Sequence, residues 1–277
     1  MKPHDAALVP PGAQATRVTE WRDGCIAERA DWLAEEVPVA LVFNGISHAV
    51  MLASPADLED FALGFALTEG LIDAPGELYG VEVNEVAGGI ELQLEVTSAC
   101  AWRLKERRRT LAGRTGCGLC GTESLAQVQR ELPQAPAVFV GPAALARAQR
   151  ELRAHQALQQ LTGAAHAAAW CGLDGRVRLA REDIGRHNAL DKLIGAMRRA
   201  GENPAQGFVA LTSRASFEMV QKSAAAGIGA LAAVSAPTAL AVRRARELGV
   251  ALAGFVRGED GVAYTFPERF GFDAHEH

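Results

Sequence analysis

The chain has 277 residues, of which 49% are hydrophobic and 22% charged, and its net charge at pH 7 is -5. This composition can form the core of a globular enzyme, and the acidic balance argues against general nucleic-acid binding. No apolar run reaches the about 18 residues of a membrane span, and the first residues lack the pattern of an export signal. Five cysteines are an odd number and three of them are scattered, so we expect a cytoplasmic protein without structural disulfides.

The sequence predicts three regions. Residues 1–16 are rich in Pro, Ala and Gly, and we expect them to be loose. Residues 17–112 are expected to form a small α+β unit, an N-terminal α/β roll. Residues 113–277 are expected to form a larger α/β domain that begins with a cysteine-containing loop.

The first unit is predicted from two hairpins and a helix. Residues 39–43 and 46–52 flank an Asn-Gly turn, and the alternating segments 81–86 and 90–96 flank a Gly-Gly pair. Ser54 is expected to cap the intervening helix, whose apolar residues follow helical spacing. Nothing in this unit indicates catalysis.

Cys117 and Cys120 lie in a loop that also holds four glycines. A basic run at 103–109 precedes the loop, and a helix is predicted at about 123–131. Nearby cations and the positive end of a helix dipole both favour a thiolate. Two such thiols can bind a metal, cycle as a disulfide, or carry sulfur as a persulfide.

Two of these chemistries lack supporting context, although the residues alone leave them open. A structural zinc site needs four ligands, and the other Cys and His residues are dispersed. A disulfide oxidoreductase would place the pair between a strand and a helix, whereas the segment before Cys117 is basic and polar.

The second region predicts a sheet with helices on both faces. A helix is predicted at 143–161, a hairpin at 165–180, and alternating helices and strands follow. Such alternation favours a mainly parallel sheet, and the element order resembles the three-layer α/β/α cytidine-deaminase-like fold. The later elements are helix 186–200, strand 208–212, helix 216–227, strand 230–234, helix 237–248 and strand 250–256.

The first of three strand ends that could bind a ligand is the segment 182–192, since ligands of such sheets bind beyond the carboxyl ends of strands. It contains Asp183, His187, Asn188 and Lys192 within about one and a half turns. On a helix, His187 shares one face with Asp191, as Asn188 does with Lys192. The alternative is a solvent-facing helix with ion pairs.

The other two strand ends are 212–218 and 234–238. Ser213, Arg214 and Ser216 follow a predicted strand and could bind an anion, or one of the serines could simply cap the next helix. Lys222, further along that helix, could contact a phosphate or be a surface charge. Ser235 occupies the third strand end, with a plain helix cap as the alternative.

The fold resemblance does not imply deaminase activity. Zinc deaminases use His-x-Glu at one helix start and Pro-Cys-x-x-Cys at the next. Here Ala189 stands two residues after His187, and the segment 213–216 holds no cysteine. Because these ligands are missing, the fold alone cannot assign the function.

Taken together, the motifs resemble those of the formate dehydrogenase accessory sulfurtransferases, the FdhD family, over nearly the whole chain. The resemblance is specific because the motifs occur in the same order. They are the segments 43–51, 61–65 and 68–70, the Cys117/Cys120 loop, and the segments 162–169, 182–192, 213–218 and 254–257.

This resemblance implies that sulfur passes from a cysteine desulfurase to the molybdenum cofactor of formate dehydrogenase, in its bis(molybdopterin guanine dinucleotide) form. Cys117 looks like the persulfide carrier and Cys120 like its partner. GDP should act as a cofactor mimic, a homodimer is expected because the cofactor has two guanine arms, and no resident metal is implied. The expected cofactor-binding residues are Asp183, His187, Asn188, Lys192, Ser213, Arg214, Ser216, Ser235, Phe255, Val256, Arg257, Gly258, Glu259 and Asp260.

Two other functions remain open from the sequence. One is a non-catalytic chaperone that binds the molybdenum cofactor and uses the cysteines only to hold the metal or a partner. The other is a nucleotide-binding redox regulator, although no Gly-x-Gly-x-x-Gly fingerprint follows a predicted strand.

Overall fold

A computed structural model describes residues 9–111 and 130–272, which form three β-sheets and the helices around them. The strands are β1 (Ala13–Arg22), β2 (Cys25–Ala34), β3 (Val37–Phe43), β4 (Ile46–Ala53), β5 (Leu78–Val86), β6 (Gly89–Val96), β7 (His166–Gly172), β8 (Val177–Asp183), β9 (Gly207–Leu211), β10 (Ala230–Ala233), β11 (Ala251–Arg257) and β12 (Asp260–Thr265). The α-helices are α1 (Leu58–Thr68), α2 (Ser98–Leu111), α3 (Pro142–Leu152), α4 (Ala157–Thr162), α5 (Arg186–Arg199), α6 (Phe217–Ala225) and α7 (Ala239–Leu248).

The four-stranded sheet has the order β4-β3-β6-β5 and joins the two predicted hairpins, which are confirmed. Its central strands β3 and β6 run parallel. Side chains alternate along a strand, so Val39, Leu41 and Phe43 share the face that packs with Phe61 and Phe65 of α1. Helix α1 therefore lies on the buried face of this sheet.

The six-stranded sheet has the order β12-β11-β10-β9-β7-β8. Strands β9, β10 and β11 are parallel, but β7, β8 and β12 pair antiparallel. The prediction of a mainly parallel sheet is therefore wrong, and the sheet is mixed. Tight turns join β7 to β8 and β11 to β12, and such turns allow only antiparallel pairing.

Three layers are formed by this sheet and its helices. Trp170, Leu211 and Leu252 belong to the core shared with α5, α6 and α7. Their neighbours along the strands, such as Cys171 and Ala210, belong to the core shared with α3. This alternation gives an α/β/α arrangement and confirms the predicted α/β class.

The prediction of a loose N-terminus is wrong in part, because residues 13–16 belong to β1. Strand β1 pairs with β2 over ten residues each as a two-stranded ribbon, which the sequence analysis missed. Most side chains of β2 are exposed. The ribbon therefore lacks the apolar alternation that identifies a half-buried strand.

Two predictions about helices are also corrected. Helix α1 begins at Leu58 rather than after a Ser54 cap, because Ser54 is used in a buried polar network. The predicted helix 143–161 is divided into α3 and α4. The carboxylate of Glu182 accepts hydrogen bonds from the backbone N–H groups of Leu158 and Gln159, which stabilises a second helix start.

Several sequence predictions remain untested by the described residues. Cys117 and Cys120 lie outside them, as does nearly all of the predicted helix at about 123–131. The division at residues 112 and 113 stays a prediction. Within the described ranges, no helix has the length and apolar character needed to cross a membrane.

Candidate functional site

The three predicted strand ends meet at one edge of the six-stranded sheet, which we call the strand-end edge (residues 183–187, 212–218, 234–238 and 255–257, with His166). His166 pairs with Asp183 at the boundary between β7 and β8. Thr212 and Val234 follow the parallel strands β9 and β10, and an isolated bridge joins Ala215 to Pro237. The sheet topology thus brings together segments that are distant in the sequence.

Asp183 and Lys192 form a fully buried ion pair beneath this edge, with Nζ 2.7 Å from Oδ2. Ser54 donates from its backbone N and its Oγ to the same Oδ2, at 3.0 and 2.9 Å. Asn188 donates to Asp183 Oδ1 and to the backbone oxygen of Leu52. These three predicted site residues are already bonded within the chain, and their contact with a ligand stays a prediction.

His187 lies on another face of α5, where its Nε2 is 3.2 Å from Oε2 of Glu218 on α6. Ser216 donates from Oγ to the same carboxylate oxygen at 2.8 Å. The hydrogen bonds from His187 and Ser216 outweigh burial and lower the pKa of Glu218 to about 2. Glu218, which the sequence analysis did not select, therefore fixes two predicted site residues.

Lys222 is not a surface charge, one of the two alternatives left by the sequence, and the other, a phosphate contact, stays a prediction. It is buried, and Nζ donates to Asp191 Oδ2 at 2.9 Å, Glu69 Oε1 at 2.6 Å and Thr68 Oγ1 at 3.0 Å. Burial lowers the pKa of Lys222, but attraction to Asp191 and Glu69 outweighs it, so the net change is upward. Lys222 joins α6 to the end of α1.

Ser213 and Ser235, at the second and third strand ends, are hydrogen-bonded within the chain, Ser213 through its hydroxyl group and Ser235 through its backbone oxygen. Ser213 is buried and donates from Oγ to the backbone oxygen of Arg214 at 3.0 Å. The side chain of Arg214 is exposed. Ser235 is half-buried, and its backbone oxygen accepts a hydrogen bond from the backbone N of Phe255 at 3.4 Å.

Strand β11 ends in an unusual backbone conformation. Phe255 has φ 52°, which is rare for a bulky residue, and the residue as a whole is 41% exposed. Val256 is buried, whereas Arg257 is exposed and donates from Nε to the backbone oxygen of Val234 at 3.0 Å. The Arg257 guanidinium lies 5.9 Å from the centre of the Phe255 ring. The aromatic ring of Phe255 and the positive charge of Arg257 therefore lie next to each other at the end of β11.

The last three predicted site residues lie in the turn after β11 and at the first position of β12. Gly258 has φ 60°, a conformation that glycine adopts without strain. Glu259 is exposed and accepts a hydrogen bond from Nη1 of Arg150 at 2.6 Å. Asp260 is exposed and pairs with Arg257 in the β11–β12 register. All three are accessible to a partner.

Two basic residues at the strand-end edge, Arg186 and His166, were not predicted as site residues. Nε of Arg186 is buried and has no hydrogen-bond partner in the described chain. Burial and the positive charges of Arg186 and His187 lower the pKa of His166. Both residues lie in segments that carry the family resemblance, but the sequence alone does not show that they lie at the strand-end edge.

Among the side chains that the structure describes, in residues 9–105 and 130–272, no three His, Cys, Asp or Glu are grouped as they would be around a metal ion.

Comparisons with known proteins agree in family and fold. The FdhD/NarQ family profile matches residues 34–271. A protein of Bordetella petrii named "Sulfur carrier protein FdhD" is 59% identical over 88% of this chain and 88% of its own length. A protein of Variovorax paradoxus with the same name is 58% identical over 96% of each chain.

A solved structure supports the fold independently. It is a protein of Desulfotalea psychrophila described as a formate dehydrogenase accessory protein, with a TM-score of 0.73 and 23% identity. The match covers 94% of this chain and 100% of that chain. At this identity the likeness concerns the fold alone. The family match and the close relatives show that the chain belongs to the FdhD/NarQ family.

Proposed function

We propose that this protein is a sulfurtransferase that supports formate dehydrogenase by carrying sulfur as a persulfide to the molybdenum cofactor. The observation that carries the proposal is the family membership, together with relatives named as sulfur carriers at 58–59% identity. The bis(molybdopterin guanine dinucleotide) form of the cofactor is the proposed sulfur acceptor and therefore a substrate.

The strand-end edge has chemistry suited to such a substrate. Arg214 and Arg257 are exposed, and neither forms an ion pair with a carboxylate of the described chain. Arginine binds phosphate oxygens through paired hydrogen bonds, and the cofactor carries several phosphates. The exposed ring of Phe255 offers a surface on which a guanine base can stack.

The sulfur step is proposed for Cys117 and Cys120 from the sequence. The Cys117 thiolate attacks the outer sulfur of a persulfide on the desulfurase, a new S–S bond forms, and the desulfurase thiolate leaves. The Cys120 thiolate then attacks Sγ of Cys117, so that hydrosulfide leaves for the acceptor and a Cys117–Cys120 disulfide forms. A dithiol reductant must restore the pair before the next cycle.

The proposal implies three macromolecular contacts. A cysteine desulfurase supplies sulfur, and formate dehydrogenase receives the sulfurated cofactor. A homodimer is proposed because the cofactor has two guanine arms, each of which requires a binding edge. We propose a cytoplasmic location, where thiols remain reduced.

Loading the protein with sulfur tests the proposal. The purified chain is incubated with a cysteine desulfurase and cysteine, and its intact mass is measured before and after mild reduction. We expect a gain of at least one sulfur atom that reduction removes and that the substitution Cys117→Ala abolishes. Cys25→Ala is the matched control, since Cys25 is an exposed free cysteine of the ribbon.

The same measurement separates the proposal from the chaperone alternative. A protein that binds GDP but gains no sulfur would support a cofactor chaperone and contradict the sulfur carrier. A sulfur gain that persists in Cys117→Ala and disappears in Cys120→Ala would reverse the roles proposed for the two cysteines.

A further inference from the structure

Arg186 begins α5 at the strand-end edge and, among the described residues, lacks the carboxylate partners that several other partly buried arginines have. Its Nε is buried without a hydrogen-bond partner among the described residues, and it forms no ion pair there. By contrast, Arg181 and Arg199 both contact Asp60, and Arg103 contacts Glu77. A buried donor without an acceptor is costly in a folded protein.

His166 adds a second basic group to Arg186. It begins β7 and is half-buried, and no hydrogen bond to its ring is formed within the described chain. Burial, followed by the positive charges of Arg186 and His187, lowers the pKa of His166. Two neighbouring basic groups repel each other unless an anion lies between them.

The carboxylates around this pair are already occupied. Asp183 is bonded to Lys192 and Ser54, Glu218 is bonded to His187, and Glu182 accepts from two backbone N–H groups of α4. These acids come from β8 and α6, two of the elements that pack against α5. Among the described residues, therefore, no carboxylate is paired with Arg186, and its charge can pair with the anion of a ligand.

We propose that Arg186 binds a phosphate of the cofactor's nucleotide arm, with protonated His166 as a second contact. The ligand class is a phosphate ester or pyrophosphate. This inference rests on the proposed function, because it names residues that would hold the proposed sulfur acceptor. It adds a phosphate contact at the start of α5, apart from the segment 255–260 implied by the family resemblance.

Calorimetric titration with GDP, inorganic pyrophosphate and guanosine tests the role of Arg186. We expect Arg186→Gln to weaken GDP and pyrophosphate binding about 10- to 100-fold, the range of a lost charged hydrogen bond. The affinity of Arg186→Lys for GDP and pyrophosphate should lie between those of the wild type and Arg186→Gln, because lysine keeps the charge but cannot form the paired hydrogen bonds of arginine. Arg176→Gln is the matched control, since Arg176 is an exposed cation in the turn at the opposite edge of the sheet.

The outcomes distinguish this inference from the proposed function. If the wild type binds GDP and Arg186→Gln binds it equally well, Arg186 is not a phosphate contact. If the wild type binds neither GDP nor pyrophosphate, the proposed cofactor edge itself is wrong. Equal loss for GDP and guanosine would also overturn the inference, because guanosine has no phosphate.

The pH dependence of binding tests His166. An anion favours the protonated imidazole, so GDP affinity should rise more between pH 8 and pH 6 in the wild type than in His166→Gln. Each unit by which the bound anion raises the pKa of His166 corresponds to about a tenfold gain in affinity. Ionisation of GDP itself cancels in this comparison. Equal pH profiles would remove His166 from the site.

Discussion

The ionised carboxylate of Glu218 makes a pH-dependent contribution to the stability of the fold. Its carboxylate oxygen Oε2 is 3.2 Å from His187 Nε2 and accepts a hydrogen bond from Ser216 at 2.8 Å. These contacts lower the pKa of Glu218 from 4.5 to about 2. Because the folded-state pKa lies below the unfolded value, the ionised carboxylate stabilises the folded protein above about pH 4.5, and this stabilisation is lost as the pH falls toward 2.

The substitution Glu218→Gln should remove this pH-dependent stability. We expect the wild type to exceed the variant by about 1–2 kcal/mol in free energy of unfolding at pH 6, after allowance for partial exposure of the pair. The difference should shrink steadily below pH 4.5. Urea unfolding at pH 6, 4 and 3 measures it, with the exposed Glu85→Gln as control. A difference that is the same at all three pH values would contradict the assignment.

Individual side chains show what the sequence can and cannot predict. The spacing of four residues correctly predicts that His187 and Asp191 share one face of α5. His187 contacts Glu218 and Asp191 contacts Lys222, and these two partners lie one turn apart on α6. It does not predict the partner of Asp183, because Ser54 is 129 residues away in the sequence. The burial of Lys222 was not predicted for the same reason, since it depends on elements from both units.

Helices α1 and α5 cross at two glycines, and this contact fixes the relative position of the two large sheets. A methyl group on Gly64 would overlap the backbone oxygen of Asp191, and one on Gly195 would overlap the backbone oxygen of Asp60. The backbones therefore approach more closely than any larger residue permits. This geometry places Thr68 of α1 beside Asp191.

The substitution Gly64→Ala should force α1 and α5 apart. Alanine favours the helix itself, but the overlap is with backbone atoms that cannot rotate away, so we expect a net loss of about 1–3 kcal/mol in free energy of unfolding. Gly80→Ala is the control, because nothing lies within 4 Å of a methyl group there. Chemical denaturation measures both, and an unchanged or stabilised Gly64→Ala variant would show that the crossing is not close-packed.

Elements were predictable where the sequence carries a turn signal or a regular apolar spacing. The hairpins of the four-stranded sheet have Asn-Gly and Gly-Gly turns, and helix α5 has apolar residues at helical spacing, although the structure buries all of residues 188–197. The predicted bounds of these elements agree closely with the structure. The ribbon β1–β2 was missed because most of its side chains are exposed. Strand β12 was missed as well, since half of its residues are exposed and its pairing with β11 contains register shifts.

At the scale of the whole molecule, buried polar groups join the two large sheets. Ser54 contacts Asp183, Thr68 contacts Asp191, and Glu69 contacts Lys222. Each pair has one member from the first 69 residues and one from the second half of the chain. If the sheets separated, Asp183, Asp191 and Lys222 would each lose a hydrogen-bond or ionic partner, and the apolar contact between α1 and α5 would also be lost. The two sheets should therefore unfold together, although the sequence predicts two units.

Native-state hydrogen exchange tests this coupling. We expect the slowest amides of β3 and β6 to open with the same free energy as those of β9 and β10, because both sheets would exchange through global unfolding. Lys222→Met leaves Asp191 buried and unpaired, so it should lower both values together by about 3–5 kcal/mol. Arg147→Gln, which removes an exposed ion pair with Glu151, should change them by less than about 0.5 kcal/mol. Separate opening of the four-stranded sheet at a lower free energy would show that the contacts around α1 do not unite the two parts, and would make Lys222 a local rather than a global determinant of stability.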